Sequence, residues 1–351
     1  MSEDVWSARD TTPSEIEAAL RELLARSYRE ERAFVPARVM NLVVIVDRAF
    51  RGEVENRLAR VGRYHPSRLI VCGVEPGRRT LDAVATVAAD WDTRAPGEMT
   101  VGRERVEIDI GPGHLGRLDT IVDPLVVPDL TTMVWAPHGH EDGVEALRRL
   151  ANIVLIDSQD LHEPAAAFAR AEHLTASAYV VDLAWLRSTP WRERVAAAFD
   201  PPQLRRSLDE IDRVGVRHRD DSAAAGALFC GWLASRLGWR PESLDRRGDR
   251  LHGHSRARRH EVTIDLEPVD LGAPGLAGVT LEMASGAALS LDRGPGGLRA
   301  IRRDPDGTER TWTVLGASRG EGGILGEGVR QALLRDPTYA PALQAARVML
   351  G

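Results

Sequence analysis

The sequence predicts an α/β amino-terminal domain, with a Rossmann-like mixed sheet and flanking helices, and a smaller α+β carboxyl-terminal domain with an antiparallel meander. Continuous β-branched runs such as 38–47 alternate with helical periodicities in the first half. In the second half, short segments of alternating apolar and polar residues are separated by turns such as Asp304-Pro305-Asp306-Gly307. A chain of 351 residues is too long for one ordinary core, so we expect domains of 1–215 and 216–351.

Strands and helices alternate in the predicted amino-terminal domain. Apolar runs predict strands covered on both faces, and apolar residues three or four positions apart predict the helices between them. The predicted helices are 14–32, a segment around 54–61, 145–150 and 164–172. The predicted strands are 38–47, 68–74, 82–89, 105–110, part of 125–135 and 152–157. Short loops around 82–89 and 105–110 indicate an antiparallel extension of the sheet.

The predicted carboxyl-terminal domain begins with a long alanine-rich helix over 221–237. Period-2 alternation then predicts the strands of the meander. These strands are 262–266, 279–283, 289–291 and 312–314, and two helices, 323–334 and 341–350, follow them.

Composition excludes several classes of protein. The formal charge of -6 and a pI near 6.0 argue against a general affinity for nucleic acid or anionic membranes. The sequence has no apolar run of membrane-spanning length and no signal-peptide pattern, so we expect a cytoplasmic location. The two cysteines, Cys72 and Cys230, lie in apolar stretches and are expected to be buried free thiols.

The segment Asp182–Arg192 has an unusual composition, with two tryptophans and two arginines around a proline. Ser188, Thr189 and Pro190 predict a helix start with a hydroxyl N-cap. A preorganised turn that carries Trp and Arg is typical of an interaction hot spot. The alternative is that both tryptophans are core residues, and chemistry alone leaves the two interpretations open.

Motifs for catalysis or cofactors are weak. Gly111-Pro112-Gly113-His114-Leu115-Gly116 matches G-x-G-x-x-G, but Pro112 removes an amide and the next helix is short, so we expect a turn and helix start. The histidines at 138–140 and 252–254 lack a third metal ligand at suitable spacing. We therefore expect no cofactor and no metal, and the motifs give only thin evidence for enzymatic activity.

An arginine-rich stretch offers an alternative function. Guanidinium groups bind carboxylate or phosphate in a bidentate manner, so this stretch and the sheet crevice favour a sugar-phosphate or nucleotide-binding enzyme as the rival hypothesis. A solvated charged loop is the simpler interpretation. The arginines are Arg246, Arg247, Arg250, Arg256, Arg258 and Arg259.

Four segments in order resemble the glucose-6-phosphate dehydrogenase assembly protein family, OpcA. They are Tyr64–Val71, Pro124–Asp129 with Val134-Trp135, Asp182–Trp185 through Thr189–Arg192, and Leu325–Glu327 with Arg335–Tyr339. The family often has paired tryptophans where this chain has Val134-Trp135. Cysteines make the action of some relatives redox-sensitive, and that regulation is not expected of Cys72 or Cys230.

The resemblance implies a non-catalytic partner that binds glucose-6-phosphate dehydrogenase and promotes its assembly or allosteric activation in the oxidative pentose phosphate pathway. It also directs attention to surfaces that could bind this partner. In the turn, Trp185 and Trp191 are the predicted anchors, Arg187 and Arg192 the charged donors, and Ser188 with Pro190 shape the backbone. A second predicted patch comprises His65, Pro66 and Arg68.

Overall fold

Residues 2–30, 34–36, 38–61, 66–89, 100–161, 163–315 and 320–351 are described in a computed structural model of the chain. Contacts divide the chain into two units, Met1–Ile156 with Leu174–Val181, and Asp157–His173 with Asp182–Gly351. The predicted domain boundary at residue 215 stays a prediction, because a division by contacts does not establish which segments fold alone. None of the helices in the described ranges is both long enough and apolar enough to cross a membrane.

The first sheet belongs to the first unit, apart from Asp182 at its last strand. Its strands are β1 (Ser2–Ala8), β2 (Phe34–Pro36), β3 (Met40–Asp47), β4 (Ser67–Val74), β5 (Asp82–Ala89), β6 (Thr100–Ile110), β7 (Thr132–Trp135), β8 (Ile153–Ile156) and β9 (Tyr179–Asp182). The helices of the first unit are α1 (Pro13–Glu30), α2 (Arg51–Val61), α3 (Leu118–Val122) and α4 (Glu141–Ala146). Helix α5 (Pro164–Thr175) belongs to the second unit as far as His173.

The strand order of this sheet is β1-β5-β6-β4-β3-β7-β8-β9, with β2 beside β6. Strands β6, β4, β3, β7 and β8 run parallel, and β3 is covered on both faces, as its continuous apolar sequence predicts. From β6 to β9 this is the order of a doubly wound Rossmann sheet, so the predicted fold class is confirmed. The predicted antiparallel extension is present as β5 against β6, and β1 adds an edge strand that the sequence analysis missed.

The second unit contains a second nine-stranded sheet. Its strands are β10 (Ile211–Arg219), β11 (Arg240–Pro241), β12 (Asp245–Arg247), β13 (Arg250–Arg256), β14 (Glu261–Val269), β15 (Leu276–Met283), β16 (Ala288–Gly294), β17 (Gly297–Arg303) and β18 (Glu309–Leu315). Its helices are α6 (Leu183–Arg187), α7 (Thr189–Ala198), α8 (Pro202–Arg205), α9 (Ala223–Leu237), α10 (Gly320–Leu334) and α11 (Tyr339–Leu350).

This sheet has the order β11-β13-β14-β10-β15-β16-β17-β18, with β12 beside β13. Strands β15 to β18 form the predicted antiparallel meander, and β10 runs parallel to β14. Most of the arginine-rich stretch forms the hairpin β12–β13, in which half-buried His252 and His254 alternate with buried Gly253 and Ser255. Arg258 and Arg259 lie in the bend that follows β13. Helix α9 packs on β10 and β14, and α11 packs on α9.

Candidate functional site

Two helices carry the segment Asp182–Arg192 that the sequence analysis singled out. Asp182 ends β9 and caps α6, since its carboxylate accepts a hydrogen bond from the Ala184 amide at 3.0 Å. Pro190 lies in the first turn of α7, as predicted. Ser188 precedes α7, but its hydroxyl does not cap that helix and instead donates to the Trp185 carbonyl at 2.8 Å. The predicted hydroxyl N-cap is therefore wrong in detail.

The two predicted anchors are buried. Trp185 and Trp191 are each 2% exposed, so in this chain they are core residues, the alternative that chemistry had left open. Their side chains present almost no surface that a partner could contact directly. Partner binding through this segment stays a prediction, and it has to rest on the less buried positions around them, such as half-exposed Thr189 and Pro190.

Trp185 lies at the centre of a polar cluster that links distant parts of the second unit. Its indole Nε1 donates to Asp336 Oδ2 at 2.8 Å, and the Arg192 guanidinium carbon lies 3.4 Å from the Trp185 ring centroid. Arg192 Nη1 is 3.6 Å from the same Asp336 oxygen. The ring of Tyr339 packs against Trp185 with centroids 5.6 Å apart. Two segments of the family resemblance, separated by about 150 positions, are thus in direct contact.

Arg192, the other predicted charged donor, is buried in this structure, and its role toward a partner stays a prediction. It is 8% exposed, and its side chain donates to Ser188 Oγ at 3.1 Å and Thr189 Oγ1 at 2.9 Å. Burial lowers the pKa of Arg192 to about 10, although Asp336 opposes that shift. Burial alone would raise the pKa of Asp336, but hydrogen bonds from Thr338 and Trp185 and the charge of Arg192 bring it below its ordinary value.

Asp182 is a second buried centre of the cluster. It is 1% exposed and accepts hydrogen bonds from the Ser158 amide at 3.0 Å, the Ser158 hydroxyl at 2.5 Å and the Tyr339 hydroxyl at 3.0 Å. Burial raises the pKa of Asp182 to about 6, and the negative charge of Asp157 contributes to the increase. Together with Trp185, Asp182 ties the start of α11 to the segment 182–192.

Arg187 is also engaged inside the protein. Its guanidinium donates to Asp157 Oδ1 at 2.8 Å and lies 2.7 Å from Asp157 Oδ2, and both side chains are less than a tenth exposed. A further hydrogen bond goes to Gln159 Oε1 at 2.9 Å. The role of Arg187 as a charged donor to a partner stays a prediction, and in this structure its guanidinium binds internal acceptors.

The second predicted patch lies on β4 and the residues before it. His65 is outside the described residues, and Pro66 is half-buried. Arg68 is 9% exposed, pairs with Glu104 at 2.6 Å and donates to the Leu125 carbonyl at 2.9 Å. Burial lowers the pKa of Arg68. Arg68 therefore stabilises the interior of the first unit, and contact with a partner through this patch stays a prediction that rests on Pro66 and His65.

The crevice where doubly wound sheets bind ligands is occupied by side chains. The strand order reverses between β3 and β7, and ligands bind outside the carboxyl ends of strands at such a point. Here His140 Nε2 lies 3.0 Å from Asp47 Oδ1, and the Asp47 amide donates to His138 Nδ1 at 3.2 Å. The ring of Phe50 packs on His138 at 4.9 Å. The first turn, Asp47–Gly52, thus carries bulky residues where a phosphate site needs glycines.

The G-x-G-x-x-G match lies after β6 and forms a 3₁₀ helix over Pro112–Arg117. Gly111 serves backbone packing, because a Cβ at this position would lie 1.8 Å from the Arg78 carbonyl oxygen. The prediction that the G-x-G-x-x-G match forms a turn and helix start is confirmed. This glycine motif is therefore not in the first βα turn, where a dinucleotide-binding fingerprint lies.

Cysteine and metal-ligand residues give no reactive centre in the described part of the chain. Cys72 and Cys230 are buried free thiols, as expected, and burial raises the pKa of both, that of Cys72 to about 12. No three His, Cys, Asp or Glu side chains among the described residues come together in a way that could hold a metal ion. His252 instead bonds Asp265 at 2.6 Å on the surface of the second sheet.

Sequence reasoning missed the partners of the cluster, namely Asp157, Ser158, Asp336 and Tyr339. One signal was present, because a buried indole N–H needs an acceptor and the carboxylate of Asp336 lies in a segment of the family resemblance. The separation of 151 positions between Trp185 and Asp336 leaves no periodicity from which to pair them.

Two family models match the chain in order. Residues 59–173 match the model described as the glucose-6-phosphate dehydrogenase subunit N-terminal domain. Residues 178–343 match the model described as the C-terminal domain of the same subunit. Together the two matches cover most of the chain.

Three curated relatives are each described as a candidate OxPP cycle protein named OpcA. That of Synechococcus elongatus is 28% identical over 241 residues, which cover 66% of this chain and 54% of the relative. That of Nostoc punctiforme is 34% identical over 170 residues, which cover 46% of this chain and 36% of the relative. The matches thus span about half or less of these relatives' own length.

Among solved structures, a 3-ketoreductase from Actinomadura kijaniata in complex with NADP is 13% identical with a TM-score of 0.49. The alignment covers 88% of this chain and 95% of that chain. A similarity at this level supports no statement about function. The two family models and three curated OpcA proteins are decisive instead: the chain belongs to the glucose-6-phosphate dehydrogenase assembly protein family, OpcA.

Proposed function

We propose that this chain is a non-catalytic assembly factor and allosteric activator of glucose-6-phosphate dehydrogenase in the oxidative pentose phosphate pathway, acting in the cytoplasm. The observation that carries the proposal is the match of both halves to family models described as domains of a glucose-6-phosphate dehydrogenase subunit. The names of the curated relatives refer to the OxPP cycle and support the pathway.

The proposed mechanism is a shift between states of the dehydrogenase. An activator can change such an equilibrium only by its difference in affinity for the two states. The chain would therefore bind the active oligomer of the dehydrogenase more tightly than its inactive or dissociated form. A rigid binding surface loses less conformational entropy on binding and so raises the affinity for the partner. The difference between the two states then has to come from how well each state fits that surface.

The segment Asp182–Arg192 supports a rigid surface of this kind. The buried Trp185 and Arg192 are held by Asp336, and their contacts fix the turn before α7. We propose that the partner contacts half-exposed Thr189 and Pro190 together with exposed Glu193, while the buried residues position them. Trp191, Arg187 and Ser188 belong to this supporting layer in the proposal.

Two features of the first unit support a non-catalytic role. The first βα turn has Arg48, Phe50 and Arg51 where close approach of a pyrophosphate needs glycines. In addition, Asp47 contacts His138 and His140 across the crevice at the carboxyl ends of β3 and β7. A dinucleotide in the usual position would have to displace these contacts.

The test is to mix the purified chain with the dehydrogenase of the same organism. We expect light scattering to detect a complex with the summed mass of its components, and steady-state kinetics to show a higher rate at limiting substrate. If the mass and the kinetic parameters of the dehydrogenase both stay unchanged, the proposal fails.

One observation favours the rival function of a sugar-phosphate or nucleotide-binding enzyme. The first unit has a cleft of about 540 Å³, within the size range of small-molecule sites. Its charges nearly cancel, however, because three carboxylates accompany the four arginines. The charged lining residues are Arg9, Arg48, Arg51, Arg78, Asp82, Glu107 and Asp109.

Ion pairs further weaken the rival, since Arg78 lies 2.6 Å from both Glu75 and Asp82, and Arg51 pairs with Asp109. Thermal-shift measurements with NADP, ATP and glucose 6-phosphate separate the two functions. Saturable stabilisation of the isolated chain by one of these ligands would favour the rival, whereas the assembly factor is expected to show none.

A further inference from the structure

The second sheet has one covered face and one open face. Along β10, buried Val214 and Val216 alternate with half-buried Gly215 and Arg217, and α9 packs on the covered side. Charged side chains of the other side remain well exposed, for example Arg213 at 54%. Because the alternation continues across the neighbouring strands, the uncovered side chains form one surface, which we call the open face.

Strand register arranges the open face in three rows that cross the strands from β13 to β18. The first row has alternating charge and contains Glu267, Arg217, Asp292 and Arg299 on β14, β10, β16 and β17. Arg217 pairs with Asp292 across β15. This contact is possible because Gly278 lies between them, where a Cβ would be 2.1 Å from Arg217 Nη2.

The middle row is small and mostly uncharged at its centre. Gly215, Thr280 and Ser290 are paired there on β10, β15 and β16. Thr280 and Ser290 hydroxyls are 3.2 Å apart and satisfy each other. Small central residues allow a second sheet to approach to the usual packing distance of about 10 Å.

The third row is charged again. Arg213 lies beside Glu282 in this row, 3.6 Å away, and also lies 3.6 Å from Asp265, the β14 member of the middle row. Arg303 pairs in register with Glu309 at the β18 edge. A neutral centre flanked by charged rows is the anatomy of a protein interface with a polar rim. The charges on the rim also make the orientation of a bound surface testable.

We propose that the open face is the contact surface of a homodimer, in which a second copy packs its own open face against it around a two-fold axis parallel to β15. This axis places β10 over β16, and β14 over β17, of the second copy. Arg217 then faces Asp292 of the second copy, and Glu267 faces Arg299 of the second copy. By symmetry each pairing occurs twice, which is the isologous arrangement of a closed dimer.

The charge pattern selects this axis over its alternative. A two-fold axis along the middle row would place Arg217 over Arg213 of the second copy and Arg299 over Arg303. Both are like-charge contacts, which weaken an interface. With the axis along β15, the one like-charge contact is between Glu282 and Glu282 of the second copy. Arg213 lies beside Glu282 in each chain.

The open face is large enough for a stable dimer. Seven strands about 4.8 Å apart give a width of about 29 Å, and three rows of alternate residues give a length of about 20 Å. The projected area is roughly 600 Å² per copy, so a face-to-face contact reaches about 1,200 Å² in total, the lower end of specific interfaces.

The experiment is sedimentation velocity of the full chain alone, with charge reversals at Glu267 and Arg299. We expect the wild-type chain to be a dimer. Either Glu267→Arg or Arg299→Glu should raise the dimer dissociation constant by about 100-fold or more, because each creates two like-charge contacts. The double variant restores opposite charges across the interface and should restore the dimer.

The matched control is Arg310→Glu, on the opposite side of β18 and 73% exposed, which should leave the dimer intact. Unchanged melting temperatures would show that the single variants still fold. A monomeric wild-type chain would overturn the proposal, as would single reversals without effect or a double variant that stays monomeric. Because the dehydrogenase is absent, failure here leaves the proposed function standing.

If instead the chain is monomeric and Arg299→Glu abolishes its complex with the dehydrogenase, the occupant of the open face is the dehydrogenase. That outcome would refute the homodimer and support the assembly function.

Discussion

At the scale of single residues, the Trp185 side chain joins three functional groups. Its N–H satisfies the Asp336 carboxylate, its ring face receives the Arg192 guanidinium, and its edge packs near Tyr339. A half-buried carboxylate and a buried guanidinium are each costly to desolvate, and both are tolerated here because the indole and the ion pair compensate for the lost water.

The hydrogen bond of Trp185 can be separated from its bulk by comparing two substitutions. We expect Trp185→Phe to lower the free energy of unfolding by about 1–2 kcal/mol more than Trp191→Phe, because it also leaves Asp336 with one donor fewer. Trp191 is the control, since it is equally buried and its nitrogen has no such bond with any described residue. Urea denaturation of both variants measures the difference, and equal losses would contradict the assigned bond.

Asp182 gives the stability of the protein a specific pH dependence. Its folded-state pKa of about 6 lies above the value of about 3.9 expected when unfolded, so the folded chain binds the proton more tightly. Its contribution to the free energy of unfolding should therefore fall by about 3 kcal/mol as pH rises from about 4 to about 6, and stay constant above.

The Asp182→Asn variant lacks this titration, so the stability difference between wild type and variant should decrease over the same pH window. Chemical denaturation of both proteins at several pH values measures it. A difference that stays constant with pH, or that grows as pH rises, would contradict a raised pKa.

At the scale of elements, two helices of the second unit use glycine in opposite ways. Helix α10 contains five glycines in 15 residues, a composition of low helix propensity, and it packs on α6. In α9, Gly231 lets α11 come close, because a Cβ there would lie 2.2 Å from the Ala342 carbonyl oxygen. The first use weakens a helix, and the second permits a tight helix contact.

The same substitution should therefore have opposite effects in the two helices. Gly326→Ala in α10 should raise the free energy of unfolding by about 0.5–1 kcal/mol, because its Cβ would meet nothing within 4 Å and the helical backbone suits alanine. Gly231→Ala should lower it by about 1–3 kcal/mol through overpacking against α11. Thermal denaturation of the two variants checks the signs, and a shared sign would contradict the packing.

The helices and buried strands were predictable because their periodicity is local. The run 38–47 predicts β3 to within two residues, and the alternation in the second half predicts the meander. Strand β1 was missed since Ser2–Ala8 mixes charged and apolar residues at an edge. The burial of Trp185 and Trp191 could not be predicted, because the spacing of residues along a helix does not reveal which other elements cover their side chains.

At the scale of the whole molecule, the family resemblance identified what periodicity could not. Segments around 182–192 and 335–339 were each too short to be specific alone, and the structure brings them together at Trp185 and Asp336. The same structure shows that Arg187 and Arg192 bind internal acceptors. The partner surface therefore has to be sought among their exposed neighbours.

An exposed residue tests that surface with least risk to the fold. Glu193→Arg should weaken the complex with the dehydrogenase by about 10-fold or more if the charge lies in the contact, while the melting temperature changes little. Glu163→Arg, an exposed acid before α5, is the control and should have no effect on binding. Isothermal titration calorimetry measures both affinities, and equal affinities would place the contact elsewhere.

The central claim is that the chain favours the active oligomer of glucose-6-phosphate dehydrogenase. Its most direct test is to dilute the dehydrogenase until it dissociates and to measure oligomer mass and specific activity as the chain is added. We predict that both rise together and saturate at a fixed molar ratio. If the oligomer distribution and the activity stay the same at every ratio, the claim is contradicted.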